Sequence, residues 1–298
     1  MLELFIVGDY MKKILLFITM FFIFSLCICG KELEEKVINN ISGESMELLG
    51  DVLFLPNENN YIVFLTTSSK ELEGLKTNDG TSFTVTDVAI FKFDQNGNIL
   101  SKNLWGGTGS DYLVNSNFNK SGEIILYGYS NSKDLEDFEI TNGFDSVIYK
   151  YDKDGNLLFK KTWGGNKDDK FNYLTLLDDG SFIGVGGSDS TDLEGLQNNG
   201  KADAFIVKFD KDGNVLWQKN WGGNNADLFS DVVVSSDGSI VLSGQTYSND
   251  IENFTYKGGY DVMLVKYDKD GNMVWQKGFG GTSNEMGANI EGFDDGFV

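Results

Sequence analysis

Short apolar runs separated by polar turns that contain glycine recur throughout residues 48–298. Strands of this length joined by short glycine turns are typical of antiparallel hairpins. In the second copy of the pattern, the predicted strands are 112–118, 123–129, 146–151 and 157–163. The repeating unit is therefore predicted to be a four-stranded antiparallel meander.

The third strand of each copy is apolar on both faces. In the third copy, Ala204 and Ile206 lie on one face, and Phe205, Val207 and Phe209 lie on the other. Such a strand must be covered on both faces, and with no helix predicted only the neighbouring copies can cover it. Face-to-face stacking of four-stranded sheets predicts an all-β fold of the β-propeller type. An open solenoid would need end caps, which the sequence does not show.

Two motifs keep a period of 58 residues, which identifies an internal repeat. Trp-Gly-Gly begins at Trp105, Trp163 and Trp221, with Phe-Gly-Gly at Phe279, and an Asp-x-x-Gly-Asn motif starts eleven residues upstream of each. The period predicts four full blades and the start of a fifth: 48–107, 108–165, 166–223, 224–281 and 282–298. Because 294–298 aligns with the beginning of an apolar second strand, we expect the C-terminus to be truncated; the fifth blade's first strand is predicted over 286–293.

The periodic residues have predicted structural roles. The tryptophans should end each fourth strand and bury their rings between sheets. The hairpin before that strand needs a residue of positive φ, supplied by Gly97, Gly155, Gly213 and Gly271. Glycines in the second strand should permit close backbone approach: Gly128, Gly186 and Gly244. The first copy departs from this, since Thr66 or a neighbour replaces that glycine and the loop before Asp87 is about five residues longer.

The N-terminal 29 residues read as an export signal. Residues 14–29 carry no charge, follow Lys12-Lys13 and are short for a spanning helix. Met11 is the predicted true start. Cys29, with Leu26 before it and Gly30 after it, resembles the lipid-attachment cysteine of bacterial lipoproteins, although Ile28 stands where a small residue is usual; plain cleavage and an uncleaved anchor remain alternatives. Residues 30–47 are a predicted polar tether, in which 37–41 is a candidate strand for closing the ring.

Composition excludes several classes of function. The formal charge of −21 repels nucleic acids and anionic membrane surfaces. The absence of histidine removes histidine-bearing catalytic triads and histidine-ligated zinc. The only two cysteines, Cys27 and Cys29, lie in the apolar N-terminal run, so no disulfide is expected in the folded part.

The repeat resembles the β-propeller repeat of bacterial exported proteins, the seven-bladed or SBBP type. The residues that carry the resemblance are Gly200 to Asp210, Gly213-Asn214, Trp221-Gly222-Gly223 and Asp227. It covers 48–298 and implies a propeller fold. For function it implies only a surface or secreted scaffold.

Two groups of acidic residues are candidates for chemistry. Weak calcium candidates lie in the Asp-x-x-Gly-Asn motifs: Asp152, Asp154, Asn156, Asp210, Asp212 and Asn214. A hand-type calcium loop needs glycine at its sixth position and glutamate at its twelfth. Counted from Asp152, the glycine is at the fourth position and the twelfth residue is Trp163. A plain turn is therefore favoured, and no cofactor is expected. Periodic acids at blade junctions are interpreted as structural bonds rather than catalytic pairs: Asp87, Asp145, Asp203, Asp261, Asp111, Asp169, Asp227 and Glu285.

The long polar loops between the second and third strands vary between copies: 131–144, 189–202 and 247–260. An apolar pair in each is expected to anchor the loop, and the alternative is a variable recognition rim. We therefore expect a non-catalytic, exported scaffold that binds protein or glycan at the cell envelope and contacts the membrane only through its N-terminal anchor. The alternatives are a propeller-type hydrolase of extracellular polysaccharide, and an envelope assembly scaffold resembling quinoprotein-like propellers without their cofactor.

Overall fold

The computed structural model describes residues 2–6, 14–18, 36–41, 45, 47–55, 58–77, 85–136, 138–153, 155–286, 289–293 and 296–297. Over these ranges every regular element is a β-strand, and no helix is present that could cross a membrane. The all-β prediction is confirmed. The predictions for Cys27, Cys29 and Asp154 fall outside the described residues.

The chain divides into two compact units, 1–113 and 114–298. The strands of the first unit are β1 (Leu2–Ile6), β2 (Ile14–Ile18), β3 (Lys36–Ile41), β4 (Glu47–Leu55), β5 (Asn60–Thr67), β6 (Glu71–Leu72), β7 (Leu75–Lys76), β8 (Asp87–Phe93) and β9 (Ile99–Trp105). They form a three-stranded sheet of order β2–β1–β3, the first blade of order β4–β5–β8–β9, and the hairpin β6–β7.

The remaining strands form three further blades, and the boundary between the units falls within the first of these strands. They are β10 (Asp111–Phe118), β11 (Ile124–Ser130), β12 (Asp145–Tyr151), β13 (Leu157–Trp163), β14 (Asp169–Leu176), β15 (Phe182–Ser188), β16 (Asp203–Phe209), β17 (Val215–Trp221), β18 (Asp227–Val234), β19 (Ile240–Thr246), β20 (Asp261–Tyr267), β21 (Met273–Phe279), β22 (Gly292–Phe293) and β23 (Gly296–Phe297). Each blade is an antiparallel meander with its strands in chain order, β10–β13, β14–β17 and β18–β21. The predicted propeller-type fold, with four blades and part of a fifth, is confirmed.

The partial fifth blade differs from its prediction. The strand expected over 286–293 is absent at 289–291, and among the described residues β22 pairs with β23 over two residue pairs. Two residue pairs cannot hold a long strand in place, because each added residue loses conformational freedom without a further ladder bond.

The second unit confirms why the third strand is apolar on both faces. Phe205 and Val207 of β16 belong to a core with Ile125 and Ile148 of the second blade, whereas Ile206 belongs to a different core. That other core contains Phe229, Leu242 and Met263 of the fourth blade. One strand therefore contributes to two layers of side chains, and stacked blades supply the cover that the sequence requires.

Glycine positions follow the predicted turn chemistry. The hairpin glycines have positive φ at Gly97 (83°), Gly155 (83°), Gly213 (77°) and Gly271 (82°). In the second strand, Gly186 and Gly244 lie opposite Phe171 and Phe229. A Cβ atom at either glycine would overlap the backbone carbonyl of Lys170 or Leu228, so the predicted close backbone approach is confirmed at these two positions. In the first blade Leu65 occupies this position, next to Thr66, and lies opposite Leu49.

The N-terminal strands pair with one another. The strand considered at 37–41 is present as β3, and it pairs with β1 rather than with a blade strand. β1 also pairs with β2, which covers the start of the apolar run that we interpret as an export signal.

Candidate functional site

Buried aspartates hold the chain as it passes from one blade to the next. The carboxylate of Asp169 accepts hydrogen bonds from the backbone N–H of Gly165 (2.7 Å) and the hydroxyl of Ser190 (2.6 Å), and a further one from Ser188. Its own N–H donates to the carbonyl of Phe144 (2.6 Å). Burial raises the pKa of Asp169, and these donors oppose the rise.

The same arrangement recurs at the other junctions. Asp227 accepts from Gly223 N (2.9 Å), from Ser248 Oγ (2.7 Å) and from Thr246. The N–H of Gly107 donates to Asp111 (2.8 Å), and that of Gly281 to Glu285 (2.9 Å). Burial also raises the pKa of Asp227. These contacts assign the second glycine of each Trp-Gly-Gly or Phe-Gly-Gly motif to the scaffold.

A second set of aspartates begins the third strand of each blade. One carboxylate oxygen accepts a backbone N–H four residues earlier: Asp145 from Thr141 (2.8 Å), Asp203 from Asn199 (3.0 Å) and Asp261 from Lys257 (2.7 Å). The other oxygen, Oδ1, is buried against the first glycine of the motif and accepts no hydrogen bond in these three residues. Burial raises the pKa of Asp145 and of Asp203 to about 6, and the neighbouring junction aspartate adds to the rise.

A pKa near 6 beside a second carboxylate is what a general acid in glycoside hydrolysis requires. Asp145 and Asp203 are nevertheless only 1% and 2% exposed. The same pair also occurs in successive blades, whereas an active site requires one accessible constellation. Their geometry therefore fits a structural role.

The calcium candidates are occupied by their own turns. The two carboxylate oxygens of Asp152 accept from the backbone N–H (2.8 Å) and the side-chain amide (2.9 Å) of Asn156. Asp210 accepts from Asn214 in the same way (2.8 and 2.9 Å) and also from Asp212 N (2.9 Å). Among the described residues no group of three or more acidic or cysteine side chains converges as a metal site.

The variable loops are anchored to their blades as predicted. Leu135 and Phe138 are buried in the first of these loops. The corresponding residues of the other two loops, Leu193, Leu196, Ile251 and Phe254, pack against the cores at half burial. Apolar anchoring is therefore confirmed. One serine of each loop is also buried: Ser132, Ser190 and Ser248.

Glutamines connect neighbouring blades in a way that the sequence reading missed. The indole N–H of Trp221 donates to Gln276 Oε1 (2.7 Å), and Gln276 Nε2 donates to the loop carbonyl of Glu252 (2.6 Å). Trp163 donates to Gln218 in the same way (3.2 Å). The available signal was a Trp–Gln spacing of 55 residues that occurs twice. Trp163 and Trp221 are buried at the ends of their strands, as predicted, whereas Trp105 is half-buried and Phe279 is 51% exposed.

A groove of about 500 Å³ lies beside the Trp221–Gln276 contact. It combines indole rings with amide and carboxylate side chains from the third and fourth blades: Asn199, Asn220, Trp221, Glu252, Asn253, Trp275 and Gln276. Asn253 has a φ of 57°, which places its amide on a tight turn of the 247–260 loop. Within the groove, Trp221, Glu252, Trp275 and Gln276 repeat residues of the preceding copy, whereas Asn199, Asn220 and Asn253 differ between copies.

Comparison with known proteins yields distant likenesses. No protein-family model matches the chain. The Regulatory protein FlaEY of Caulobacter vibrioides is 25% identical over 217 residues, which cover 67% of this chain and 22% of that protein. A protein of unknown function from Bacteroides caccae is 14% identical with a TM-score of 0.41, over 82% of this chain and 72% of the other. The WD40 domain of Neurospora crassa Pan2 is 11% identical with a TM-score of 0.40, over 81% and 68%. The present chain thus corresponds to less than a quarter of the Caulobacter protein, and these likenesses carry no functional argument.

Proposed function

We propose that this chain is a non-catalytic, exported scaffold that binds protein or glycan at the cell envelope. In this proposal the repeats are of the bacterial exported-protein propeller type, and the N-terminal segment directs export, with Cys29 as the lipid-attachment residue. The single observation that carries the proposal is the groove beside Trp221, because aromatic residues of the repeat meet there with amides that vary between copies, at Asn199, Asn220 and Asn253.

The periodic aspartates have structural contacts, which supports binding rather than catalysis as the proposed function. The periodic aspartates and glycines are engaged in junction and turn contacts. The groove adds what a binding surface needs, namely an aromatic face at Trp275 and polar groups at Asn253 and Glu252. Indole rings combined with amide and carboxylate groups are suited to glycans, whose rings have both apolar faces and hydroxyl edges.

A glycan array and a pull-down from envelope extracts, both with the full chain, test the proposal. Asn253→Gly removes the amide while keeping the positive φ that glycine adopts readily, so binding should weaken without loss of fold. Asn59→Gly is the matched control, since Asn59 has a φ of 56° in a turn of the first blade. We expect the full chain to bind a glycan or an envelope protein without releasing sugar. Asn253→Gly should weaken this binding, and Asn59→Gly should leave it unchanged.

Two other results would contradict the proposal and favour one of the alternatives. Release of sugar from the bound polysaccharide would establish the hydrolase alternative. Stable assembly with several envelope proteins, unaffected by Asn253→Gly, would instead support the assembly-scaffold alternative.

A further inference from the structure

One junction of the chain shows how an ammonium group is held between blades. Lys170 Nζ lies 4.3 Å from the centroid of the Phe144 ring and 5.1 Å from that of Tyr129. It also lies 3.0 Å from Asp168 Oδ2. Two aromatic faces and one carboxylate make a favourable environment for a cation.

The junction after the fourth blade repeats the backbone of this arrangement. Glu285 N donates to Tyr260 O (2.7 Å), as Asp169 N donates to Phe144 O (2.6 Å). Tyr260 N donates to Asn284 Oδ1 (3.0 Å), matching the bond from Phe144 N to Asp168 Oδ1 (3.1 Å). Residue 286 therefore corresponds to Lys170.

That position holds no cation. Residue 286 is a methionine, and it is 81% exposed. The blade junction thus keeps one aromatic residue, Tyr260 in place of Phe144. Tyr129, Asp168 and Lys170 of the earlier junction are replaced by Gln245, Asn284 and Met286, so a second ring must come from elsewhere.

Further aromatic side chains gather at this junction. The ring centroids of Tyr247 and Tyr260 are 5.1 Å apart, and those of Tyr247 and Tyr256 are 6.4 Å apart. Tyr247 is 42% exposed. The cluster is not repeated in the second and third copies, where the corresponding residues are Asn131, Ile140 and Phe144, and Asp189, Asn198 and Ala202.

Charge favours a cationic occupant. Asp261 lies in the strand that follows the loop, and the pKa of Tyr256 is raised by burial and by the nearby Tyr247 and Asp261. Glu285 follows Asn284 at the same junction, and the whole chain carries a formal charge of −21. A cation that approaches the three tyrosines therefore meets aromatic rings and a negative electrostatic potential.

We propose that Tyr247, Tyr256 and Tyr260 form a binding site for a primary ammonium group, supplied by a lysine side chain of a partner protein. The inference deepens the proposed binding function, on which it rests, and names the chemistry of one contact. The choice of an ammonium group rests on Lys170, whose Nζ lies over the ring of Phe144, the residue that corresponds to Tyr260.

The test uses the full chain with ¹³C-labelled tyrosine and two probes. Nα-acetyl-lysine methylamide carries the ammonium group, and Nα-acetyl-norleucine methylamide has a similar alkyl chain without it. The lysine probe should shift the cluster tyrosine signals, identified with Tyr→Phe variants, and bind about fivefold more tightly than the norleucine probe. Equal responses to the two probes would overturn the proposal, and tighter binding of glucosamine would overturn the assignment to lysine.

Met286→Lys supplies a matched gain-of-charge variant. It places the chain's own ammonium at the position equivalent to Lys170, so binding of the lysine probe should fall at least about fivefold by self-occupancy. Phe118→Lys adds the same charge at a site that is 69% exposed and should leave binding nearly unchanged. If both variants weaken binding equally, the effect is one of net charge and the site is refuted. Retained glycan or protein binding at the groove, with no probe response, would refute this inference while leaving the proposed function intact.

Discussion

Replacing Gly186 by alanine tests whether close backbone contact between the first two strands stabilises a blade. Gly186 lies opposite Phe171 of β14. A Cβ atom here would overlap the carbonyl oxygen of Lys170, and it would lie 2.9 Å from that carbonyl carbon and 3.1 Å from Cζ of Phe205. Because a backbone carbonyl cannot rotate away, β14 must shift to relieve the contact.

The expected cost follows from two opposing effects. Overpacking of this kind costs about 3 kcal/mol where backbone atoms are involved. Alanine restricts the unfolded chain and returns about 0.5–1 kcal/mol. The net loss of unfolding free energy is therefore about 2 kcal/mol, which lowers the urea midpoint at unchanged slope.

The neighbouring glycine provides the control. A Cβ atom at Gly187 would lie 3.4 Å from Leu228 Cβ and 3.7 Å from Asp227 O, which are ordinary contact distances. The corresponding residues of other blades are Tyr129 and Gln245, so this position accepts a side chain. Gly187→Ala should be neutral or stabilising by about 0.5 kcal/mol. Tryptophan fluorescence monitors the urea unfolding of both variants. Equal midpoints for Gly186→Ala and Gly187→Ala would refute the reasoning.

Three further predictions concern buried polar groups. Asp203→Asn should stabilise the fold above about pH 7 and flatten the pH dependence of the unfolding free energy between about pH 4 and 7. The pKa of Asp203 is about 6 in the folded protein, above its value in the unfolded chain, so the wild-type fold loses stability as the pH rises through this range. Urea midpoints across pH check this, and an unchanged slope contradicts it. Lys150→Met should cost about 3 kcal/mol, because Met leaves two carbonyls and a carboxylate without the buried ammonium that bonds them. Lys120→Met, at an exposed ion pair, should leave the urea midpoint nearly unchanged. Similar midpoints for the two variants would count against this. Trp221→Phe and Gln276→Met should show a coupling free energy of about 1 kcal/mol in a double-mutant cycle, and additive effects would contradict the inter-blade bond.

Strand positions could be predicted well because the repeat supplies several versions of one pattern. A strand such as β13, which ends at Trp163, has the same boundary in every copy, and positive φ at Gly213 follows from local turn chemistry. Both signals are local in sequence. They do not depend on how one blade is placed against the next.

Contacts between blades could not be predicted from the same pattern. The bond from Trp221 to Gln276 joins residues 55 apart and depends on the stagger between two sheets. Within a blade, the strand register was also needed to see that the Phe171–Gly186 pair of the third blade corresponds to the Leu49–Leu65 pair of the first. A period of 58 residues identifies equivalent positions, but it does not state which side chains of two neighbouring copies meet.

The buried aspartates hold both ends of the loop that contributes to the proposed binding groove. Ser248, near the start of the 247–260 loop, donates to Asp227, and Lys257 N near its end donates to Asp261. Both ends of the loop are thus fixed by carboxylates of the repeat, and the variable segment between them contributes to the groove through Asn253. A loop held in one conformation loses less entropy when a ligand binds. In the proposed binding function, residues that keep the 58-residue period would therefore support recognition by fixing the loop that carries Asn253.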